Sequence, residues 1–356
     1  MARISVRKRI AFAATIACAW LAALYLGLEL WAQLRLLRGR RASEQYTSDW
    51  RVREVREAFH RDLWIIPWLE YKPGSSVEHS ANDVVYRAGI SSLGFRGNEI
   101  DWTRTNMYVI ACLGGSTMVC GNTDSSTCPA LLQKRLDNGD SGAEIEVVNC
   151  GICGLRSVNY ERVVNSIIER IRPNMVVEYN AVNDICWGLL PIWKERLGPV
   201  DRLLLKSRMV RYFFGDRFLP DGSVIVRDIE ENIIHNLREV AVQLRRNGVR
   251  FAVSSFVCPR RDELSKDQYA FLDHNIRHWW RSEYVSYTAF CRIVEIYNMM
   301  LENEFEGSDV LLMPLGREEP YPFECFVDIC HMTDSGIERK AGEMANLLGG
   351  HLAPPP

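Results

Sequence analysis

The chain has 356 residues, of which 47% are hydrophobic and 25% are charged. This length fits one large domain with extensions or two domains, and the composition is typical of a folded protein with a sizeable core. The formal net charge of −2 gives no indication of a nucleic-acid-binding surface. The eleven cysteines have no repeated spacing, so most are interpreted as core residues and not as a disulfide framework.

The N-terminal region carries a membrane signal. Residues 10–28 contain no charged side chain, and this length is sufficient for a helix that crosses the bilayer core. A cleaved signal peptide is the alternative because residues 17–19 resemble a cleavage site, although the apolar run continues straight through them. The sequence therefore predicts a basic tail over 1–9 and an uncleaved transmembrane anchor over 10–32. Basic residues flank the span about equally, so the positive-inside rule does not set its orientation.

Two linking segments are predicted between the anchor and the main domain. Residues 33–72 are interpreted as a charged juxtamembrane connector, in which 48–61 favour an exposed helix and 64–68 form an aromatic cluster. This cluster is expected to pack on the domain or on the membrane surface. Residues 73–106 have loop and strand patterns and are interpreted as a lead-in to the domain. At the other end of the chain, 351–356 form a short tail that ends in prolines.

From residue 107 onward, strand and helix patterns alternate. Strands are predicted over 107–113, 144–149, 175–179, 249–256 and 309–313, and helices over 128–136, 160–171, 229–244 and from 333. The helix over 160–171 keeps apolar residues at the i, i+3, i+4 spacing until Pro173 stops it. Strands that alternate with helices indicate βαβ units, so a mainly parallel sheet between two helical layers is expected over 107–350.

Candidate catalytic residues follow these strands. Ser116 follows two glycines at the end of the first strand, Gly154 follows the second, and Asn183 follows the third. Asp328 and His331 come after the fifth strand, just before a predicted helix. Ligands bind beyond the carboxyl ends of parallel strands. A nucleophilic serine needs a base, an acid that orients the base, and donors for the oxyanion, and all of these are expected at this edge. Taken alone, Ser116 is also compatible with an ordinary turn, and His331 is also compatible with a surface histidine.

In order along the chain, four short blocks resemble those of the SGNH (GDSL-like) hydrolases: Gly114-Gly115-Ser116, Asn149-x-Gly-x-x-Gly154, Asn183-Asp184 and Asp328-x-x-His331. The resemblance covers about residues 107–350. It implies the fold of that family, a three-layer α/β/α, flavodoxin-like arrangement on a mainly parallel five-stranded sheet. Two positions depart from the family pattern, since Gly115 replaces the usual aspartate and Ala181 stands where the third block usually has glycine.

The resemblance implies a role for each residue. Ser116 is expected to be the nucleophile and His331 the general base, while Asp328 orients and stabilises the imidazolium. The oxyanion hole is expected to comprise the backbone N–H groups of Ser116 and Gly154 and the side-chain amide of Asn183. No metal site and no metal or organic cofactor is implied.

The expected function is that of a membrane-anchored serine ester hydrolase, which forms an acyl-enzyme from an acyl or acetyl ester. Its expected partners are a small-molecule, lipid or glycan ester and the membrane, with no nucleic acid; the sequence does not indicate an oligomeric state. Family analogy favours a catalytic domain on the extracytoplasmic (periplasmic) side. Two alternatives stay open: an O-acyltransferase or acetyltransferase of envelope glycans, and a catalytically silent binding protein with the same fold.

Other patterns have simpler interpretations. A literal Gly-Asp-Ser over 139–142 precedes a strand and is interpreted as a turn. The C-x-x-C of Cys150 and Cys153, and the pair of His274 and His278, lack further ligand signals, so metal binding is the less favoured interpretation of each. Residues 185–227 form a long apolar and basic insertion beside Asn183. It is expected either to pack on the domain or to form a cap that shapes the substrate pocket and leans on the bilayer.

Overall fold

The computed structural model describes residues 6–46, 64–65, 70–81, 84–104, 107–137, 144–280 and 282–352. The helix predicted over 48–61, the turn over 139–142, most of the aromatic cluster over 64–68 and the prolines at 354–356 lie outside these residues. Two small antiparallel pairs precede the main domain: β1 (Trp64–Ile65) with β2 (Glu70–Tyr71), and β3 (Ser76–Ala81) with β4 (Val84–Gly89).

The main domain is built on a five-stranded parallel sheet. Its strands are β5 (Met107–Gly114), β6 (Glu144–Gly151), β7 (Met175–Tyr179), β8 (Arg250–Ser254) and β9 (Leu311–Met313). They pair in the order β6-β5-β7-β8-β9, with every pairing parallel, which is the order of flavodoxin-like folds. The predicted fold class, an α/β fold on a parallel five-stranded sheet, is therefore confirmed.

The described helices are α1 (Val6–Tyr46), α2 (Ser116–Val119), α3 (Cys128–Asp137), α4 (Tyr160–Ile171), α5 (Leu190–Glu195), α6 (Pro199–Leu204), α7 (Arg208–Phe214), α8 (Gly222–Ile229), α9 (His235–Arg246), α10 (Lys266–His278), α11 (Tyr287–Phe305) and α12 (Asp334–Gly349). Helix α3 packs with α12, and α4 packs with α9. Two π-helical segments, Asp184–Leu189 and Glu230–Ile234, lead into α5 and α9.

The local sequence explains where these elements begin and end. Strand β7 is buried along its whole length, as expected for a parallel sheet that is covered on both faces. Helix α4 buries one apolar stripe and ends at Arg172, which has a left-handed φ of 51° and precedes Pro173. The predicted helix over 229–244 starts earlier than expected, because α8 and the π-helical segment Glu230–Ile234 join it to α9.

The N-terminal helix α1 extends beyond the predicted span and packs on the domain. Within the described residues, Ile10–Ala42 is the one segment that is long and apolar enough to cross a membrane, and none of its most apolar window is buried. The second half of α1 contacts α7 and α10. There Trp31 stacks on Phe213 with ring centroids 4.6 Å apart, and Arg38 pairs with Asp267 at 2.7 Å.

Candidate active site

The predicted site residues come from connections beyond the carboxyl ends of the strands. Ser116 begins α2 directly after β5. Gly154 lies in the loop after β6, and Asn183 lies in the turn after β7, just before the first π-helical segment. Asp328 and His331 lie in the loop before α12. The order of the strands places β5 between β6 and β7, so the loops that carry Ser116, Gly154 and Asn183 are neighbours.

The loop that carries His331 is fixed at both ends. Thr333 caps α12 by accepting a hydrogen bond from the Gly336 N–H at 3.2 Å. The N–H of Thr333 donates to the Cys325 carbonyl at 3.0 Å, and the N–H of Val327 donates to the His331 carbonyl at 2.8 Å. Capping by Thr333 and these two backbone hydrogen bonds therefore anchor a tight loop, and the imidazole is held in one place.

Ser116, His331 and Asp328 form a continuous chain of hydrogen bonds. The Oγ of Ser116 lies 2.7 Å from Nε2 of His331, and Nδ1 of His331 lies 2.6 Å from Oδ2 of Asp328. The other carboxylate oxygen accepts the backbone N–H groups of Cys330 at 2.8 Å and His331 at 2.6 Å. All three side chains are buried. In this arrangement the imidazole can accept the serine proton while the carboxylate holds the proton on Nδ1.

The carboxyl group of Asp328 is held in its ionised form. Burial raises its pKa, but the charge and side-chain hydrogen bond of His331, together with the two backbone N–H bonds, outweigh burial and lower the pKa from 3.8 to about 2. Hydrogen bonds to the charged form of an acid favour that form. A negative charge therefore stands beside the imidazole at neutral pH, where it stabilises an imidazolium.

Two backbone N–H groups at the site have no acceptor among the described residues. The N–H of Ser116 is at the first position of α2, where an intrahelical acceptor does not exist. Gly154 has a φ of +75°, a conformation that favours glycine. Neither N–H donates a hydrogen bond within the part of the chain that the structure describes. The space beside Gly154 is open, since a Cβ added there would meet no atom within 4 Å.

The side-chain amide of Asn183 lies against the serine loop. Its Nδ2 donates to the Leu155 carbonyl at 3.1 Å and lies 3.5 Å from Oδ1 of Asn180. A Cβ added at Gly115 would come within 2.3 Å of this Nδ2. The amide therefore occupies the space that a side chain at 115 would need, which gives a physical reason for the glycine at this position.

No protein-family model matches the chain, and no curated protein matches its sequence. Similar solved structures include TesA, which is 17% identical to this chain and has a TM-score of 0.41. The match covers 68% of this chain and 98% of TesA. A candidate GDSL-like lipase from Parabacteroides merdae has 14% identity, 68% and 95% coverage and a TM-score of 0.44. The acetyl xylan esterase Axe2 from Geobacillus stearothermophilus has 13% identity, 68% and 94% coverage and a TM-score of 0.41. The chain is similar in fold to GDSL-type lipases and esterases.

A buried lysine supports the helix that begins with Ser116. Lys340 is 1% exposed, and its Nζ donates to the Thr117 carbonyl at 2.8 Å and lies 4.1 Å from the centroid of the Tyr179 ring. A cation near the carboxyl end of a helix is favourable. Sequence reasoning missed this residue, although its place among the apolar positions of α12, between Ile337 and Ala341, is a signal that could have identified it.

A buried arginine binds carbonyls at the last residue of α2 and just beyond it. Arg96 donates to the carbonyls of Val119 at 2.6 Å and Gly121 at 3.0 Å, and to Oδ1 of Asp124 at 2.8 Å. These bonds satisfy carbonyls that a short helix leaves without partners. Nothing in the lead-in sequence distinguishes Arg96 from a surface arginine, so only the fold reveals its role in fixing the serine loop.

One tryptophan lies beside the imidazole, and a second lies beside the first. The ring of Trp280 stacks on His331 with centroids 6.0 Å apart, and Trp187 lies 6.2 Å from Trp280. Trp187 belongs to the predicted insertion over 185–227, and its carbonyl accepts a hydrogen bond from Nη1 of Arg156 at 3.1 Å. These rings give the site an apolar wall that the sequence did not predict.

A buried acid joins two of the loops that form the site. Asp184 accepts hydrogen bonds from the N–H of Ser157 at 2.9 Å, the Oγ of Ser157 at 2.8 Å and Nδ2 of Asn180 at 3.2 Å. Burial raises the pKa of Asp184 to about 6, although the bonds from Ser157 oppose this rise. Because Ser157 follows Gly154 and Asp184 follows Asn183, this contact sets the position of one predicted oxyanion donor relative to the other.

The remaining sequence candidates are not brought into the site. Cys150 and Cys153 are buried, and no disulfide joins any of the described cysteines. The rings of His274 and His278 lie 4.2 Å apart. Over the described ranges, the only side chains grouped closely enough to hold a metal ion are Asp328, Cys330 and His331, and this group includes the hydrogen-bonded Asp328 and His331 pair described above.

Proposed function

We propose that the protein is a serine ester hydrolase that works through an acyl-enzyme on Ser116. The observation that carries this proposal is the chain from Ser116 Oγ to His331 Nε2 at 2.7 Å and from His331 Nδ1 to Asp328 Oδ2 at 2.6 Å. The backbone N–H groups of Ser116 and Gly154, which find no acceptor in the part of the chain that the structure describes, support it. Together these groups supply a nucleophile, a base with its orienting acid, and oxyanion donors.

In the proposed reaction, the Oγ of Ser116 attacks the ester carbonyl while Nε2 of His331 takes the hydroxyl proton. The resulting oxyanion accepts hydrogen bonds from the N–H groups of Ser116 and Gly154 and from the amide of Asn183. The imidazolium then gives its proton to the departing alkoxide, and the acyl group remains on Ser116. In the second half, His331 takes a proton from water as the water oxygen attacks the acyl-enzyme. The imidazolium then returns this proton to the Oγ of Ser116 as the acid leaves.

We expect Asn183→Ala to lower kcat by about 10²–10³ with little effect on KM, because one preorganised donor to the oxyanion is lost. The fold should persist, since the Leu155 carbonyl keeps a second donor, Nδ2 of Asn180, at 2.9 Å. Steady-state kinetics with a short-chain aryl ester and thermal melting of the same preparation measure both effects. A change confined to KM would instead make Asn183 a substrate-binding residue.

Asn180→Ala is the matched control for that experiment. The Asn180 amide donates to both the Leu155 carbonyl and the Asp184 carboxylate. Removal of this amide leaves the buried Asp184 carboxylate with fewer hydrogen-bond donors, which costs about 1–3 kcal/mol of stability. We therefore expect Asn180→Ala to lower the melting temperature more than Asn183→Ala does, and to lower kcat less.

We further propose that α1 anchors the enzyme in a membrane and that the catalytic domain is extracytoplasmic. The length and exposed apolar surface of Ile10–Ala42 support the anchor. The side of the membrane is supported only by the resemblance to the SGNH family, because the basic flanks of the span are balanced.

A thiol-labelling experiment tests the side of the membrane. Asn303 is exposed near the end of α11, so a membrane-impermeant maleimide should label Asn303→Cys in intact cells. The unsubstituted protein measures background from the half-buried Cys120 and Cys258. Labelling that requires cell lysis would place the domain in the cytoplasm and leave the proposed chemistry unaffected.

A further inference from the structure

We propose that helix α6 lies in the membrane interface beside α1, and that the active site therefore takes its ester from the bilayer. The proposal concerns an apolar surface of three residues, Val200, Leu203 and Leu204, hereafter the α6 patch. The proposal rests on the proposed esterase function. It specifies the substrate as an ester that is part of a membrane lipid and whose acyl chain lies in the bilayer.

The α6 patch exposes apolar side chains to an unusual degree. Val200 is 68% exposed, Leu203 62% and Leu204 45%, and α6 contains no buried residue. An exposed apolar cluster on a short helix is unfavourable in water. It is the expected composition of a helix that lies at the boundary between lipid headgroups and acyl chains.

The structure places the α6 patch at the depth of the end of the span. Leu203 and Lys206 line one groove together with Tyr25 and Leu26 of α1, which belong to the charge-free stretch over 10–28. Just after that stretch, the carboxylate of Glu29 accepts the Ser207 hydroxyl at 2.6 Å and the Met209 N–H at 3.1 Å. A bilayer that surrounds residues 10–28 of α1 therefore reaches the α6 patch as well.

Basic residues border the α6 patch. Arg202, Lys206 and Arg208 are exposed, and none of them forms an ion pair with another described residue. Long basic side chains beside an apolar surface can extend towards anionic headgroups while their stems stay near the acyl chains. The combination of the apolar α6 patch and these basic residues indicates that the patch binds a membrane surface that contains anionic lipid.

The active site lies close to the same depth. Helix α10 runs antiparallel to α1, with Ala270 and His274 against Gly39, and His278 lining a cavity with Leu36. At 1.5 Å per residue along the helices, the end of the charge-free stretch is roughly 16 Å from Gly39, and His278, the last residue of α10, is roughly 6 Å beyond His274 in the same direction. Trp280, which stacks on His331, follows two residues later, so the site lies on the side of Gly39 that faces the end of the charge-free stretch.

A depth probe at Leu203 tests the position of α6. The full-length protein with Cys18→Ser and Leu203→Cys is labelled with a nitrobenzoxadiazole fluorophore and reconstituted into phosphatidylcholine–phosphatidylglycerol vesicles. We expect blue-shifted emission and strong quenching by lipids that carry a doxyl group near the ester linkage. The matched control is Met299→Cys, which replaces an exposed apolar residue roughly 18 Å along α11 from the end that contacts α10, and which should report an aqueous setting.

Two results would overturn the inference. Emission from position 203 that equals that from position 299 would show that the α6 patch is not in lipid. A second result would be a blue shift that depends on the ratio of protein to lipid and is not accompanied by quenching by the doxyl lipids. It would show that a second copy of the chain covers the α6 patch. Labelling of Ser116 by a small fluorophosphonate probe is measured on the same samples. Failure of the esterase proposal is therefore distinguished from failure of the proposed position of α6.

A double substitution tests whether this position serves catalysis. Leu203→Glu with Leu204→Glu should lower hydrolysis of a long-chain ester embedded in the vesicles by about tenfold or more, since inserting two charges opposes burial of the α6 patch. Hydrolysis of a soluble short-chain ester should stay within about twofold, because neither residue touches the site. Met299→Glu should alter neither rate. Equal losses on both esters, or no loss on the embedded ester, would contradict delivery from the bilayer.

Discussion

We expect Ser116→Ala to lower ester turnover by about 10⁶, the loss typical when the nucleophile of a serine hydrolase is removed. The substitution deletes the Oγ that lies 2.7 Å from Nε2 of His331, so no acyl-enzyme can form. The remaining oxyanion donors should leave a residual rate above that of water alone. Turnover of a short-chain aryl ester and labelling by a fluorophosphonate probe measure the effect, and both should be lost together.

Ser335→Ala is the matched control. Ser335 lies in the first turn of α12, a few residues after His331, and is exposed. Its hydroxyl contacts that of Thr333 at 2.9 Å and does not reach the site residues described above, so turnover should stay near that of the wild type. If purified Ser116→Ala retained wild-type turnover with an unchanged melting temperature, the acyl-enzyme mechanism would be wrong.

The architecture could be predicted because the signals for it are local. The strand of Met107–Gly114 is an apolar run that ends in glycines, and α4 shows one apolar stripe closed by Pro173. Once strands and helices alternate, the sheet has to be largely parallel, and its carboxyl ends meet at one edge. That edge is where the structure places Ser116 and His331, which are 215 positions apart in the chain.

Residues that act through distant partners could not be predicted in the same way. Lys340 reaches the Thr117 carbonyl across 223 positions of sequence, and Arg96 is distinguished only by the carbonyls that surround it. Helix α11 was missed for a related reason. It packs against α8, α10 and β9, so its apolar residues are spread around the helix and do not form one stripe.

The connection between anchor and domain also required the structure. The charge-free stretch over 10–28 and the apolar residues that follow it predicted a span over 10–32, because length and apolar character are properties of sequence alone. Whether the following residues form a loose tether or a continued helix depends on what they contact. Here Trp31 stacks on Phe213 and the Glu29 carboxylate binds the start of α7, so α1 and the insertion hold each other in place.

We expect Asp328→Asn to lower kcat by about 10⁴ while the protein stays folded at neutral pH. The carboxylate accepts a hydrogen bond from Nδ1 of His331 at 2.6 Å, whereas an amide nitrogen placed there can only donate. The imidazole would then carry its proton on Nε2, facing Ser116, and could no longer accept the serine proton. Steady-state kinetics and fluorophosphonate labelling measure the loss. A decrease of less than tenfold would show that Asp328 has no role in setting the tautomer of His331.

The same substitution should change how stability depends on pH. The native pKa of Asp328 is about 2, below its ordinary value of 3.8, so the ionised group stabilises the native state fully above pH 3.8 and loses this effect as the pH falls towards 2. A shift of this size corresponds to about 2 kcal/mol. Asp328→Asn removes the titrating group, so its melting temperature should lie below that of the wild type at pH 7 and approach it near pH 2. Thermal melts of both proteins in detergent across this range check the sign. A difference that widened as the pH fell from 3.8 towards 2 would mean that the carboxylate is not stabilised in its ionised form, and the orienting role of Asp328 would lose its electrostatic basis.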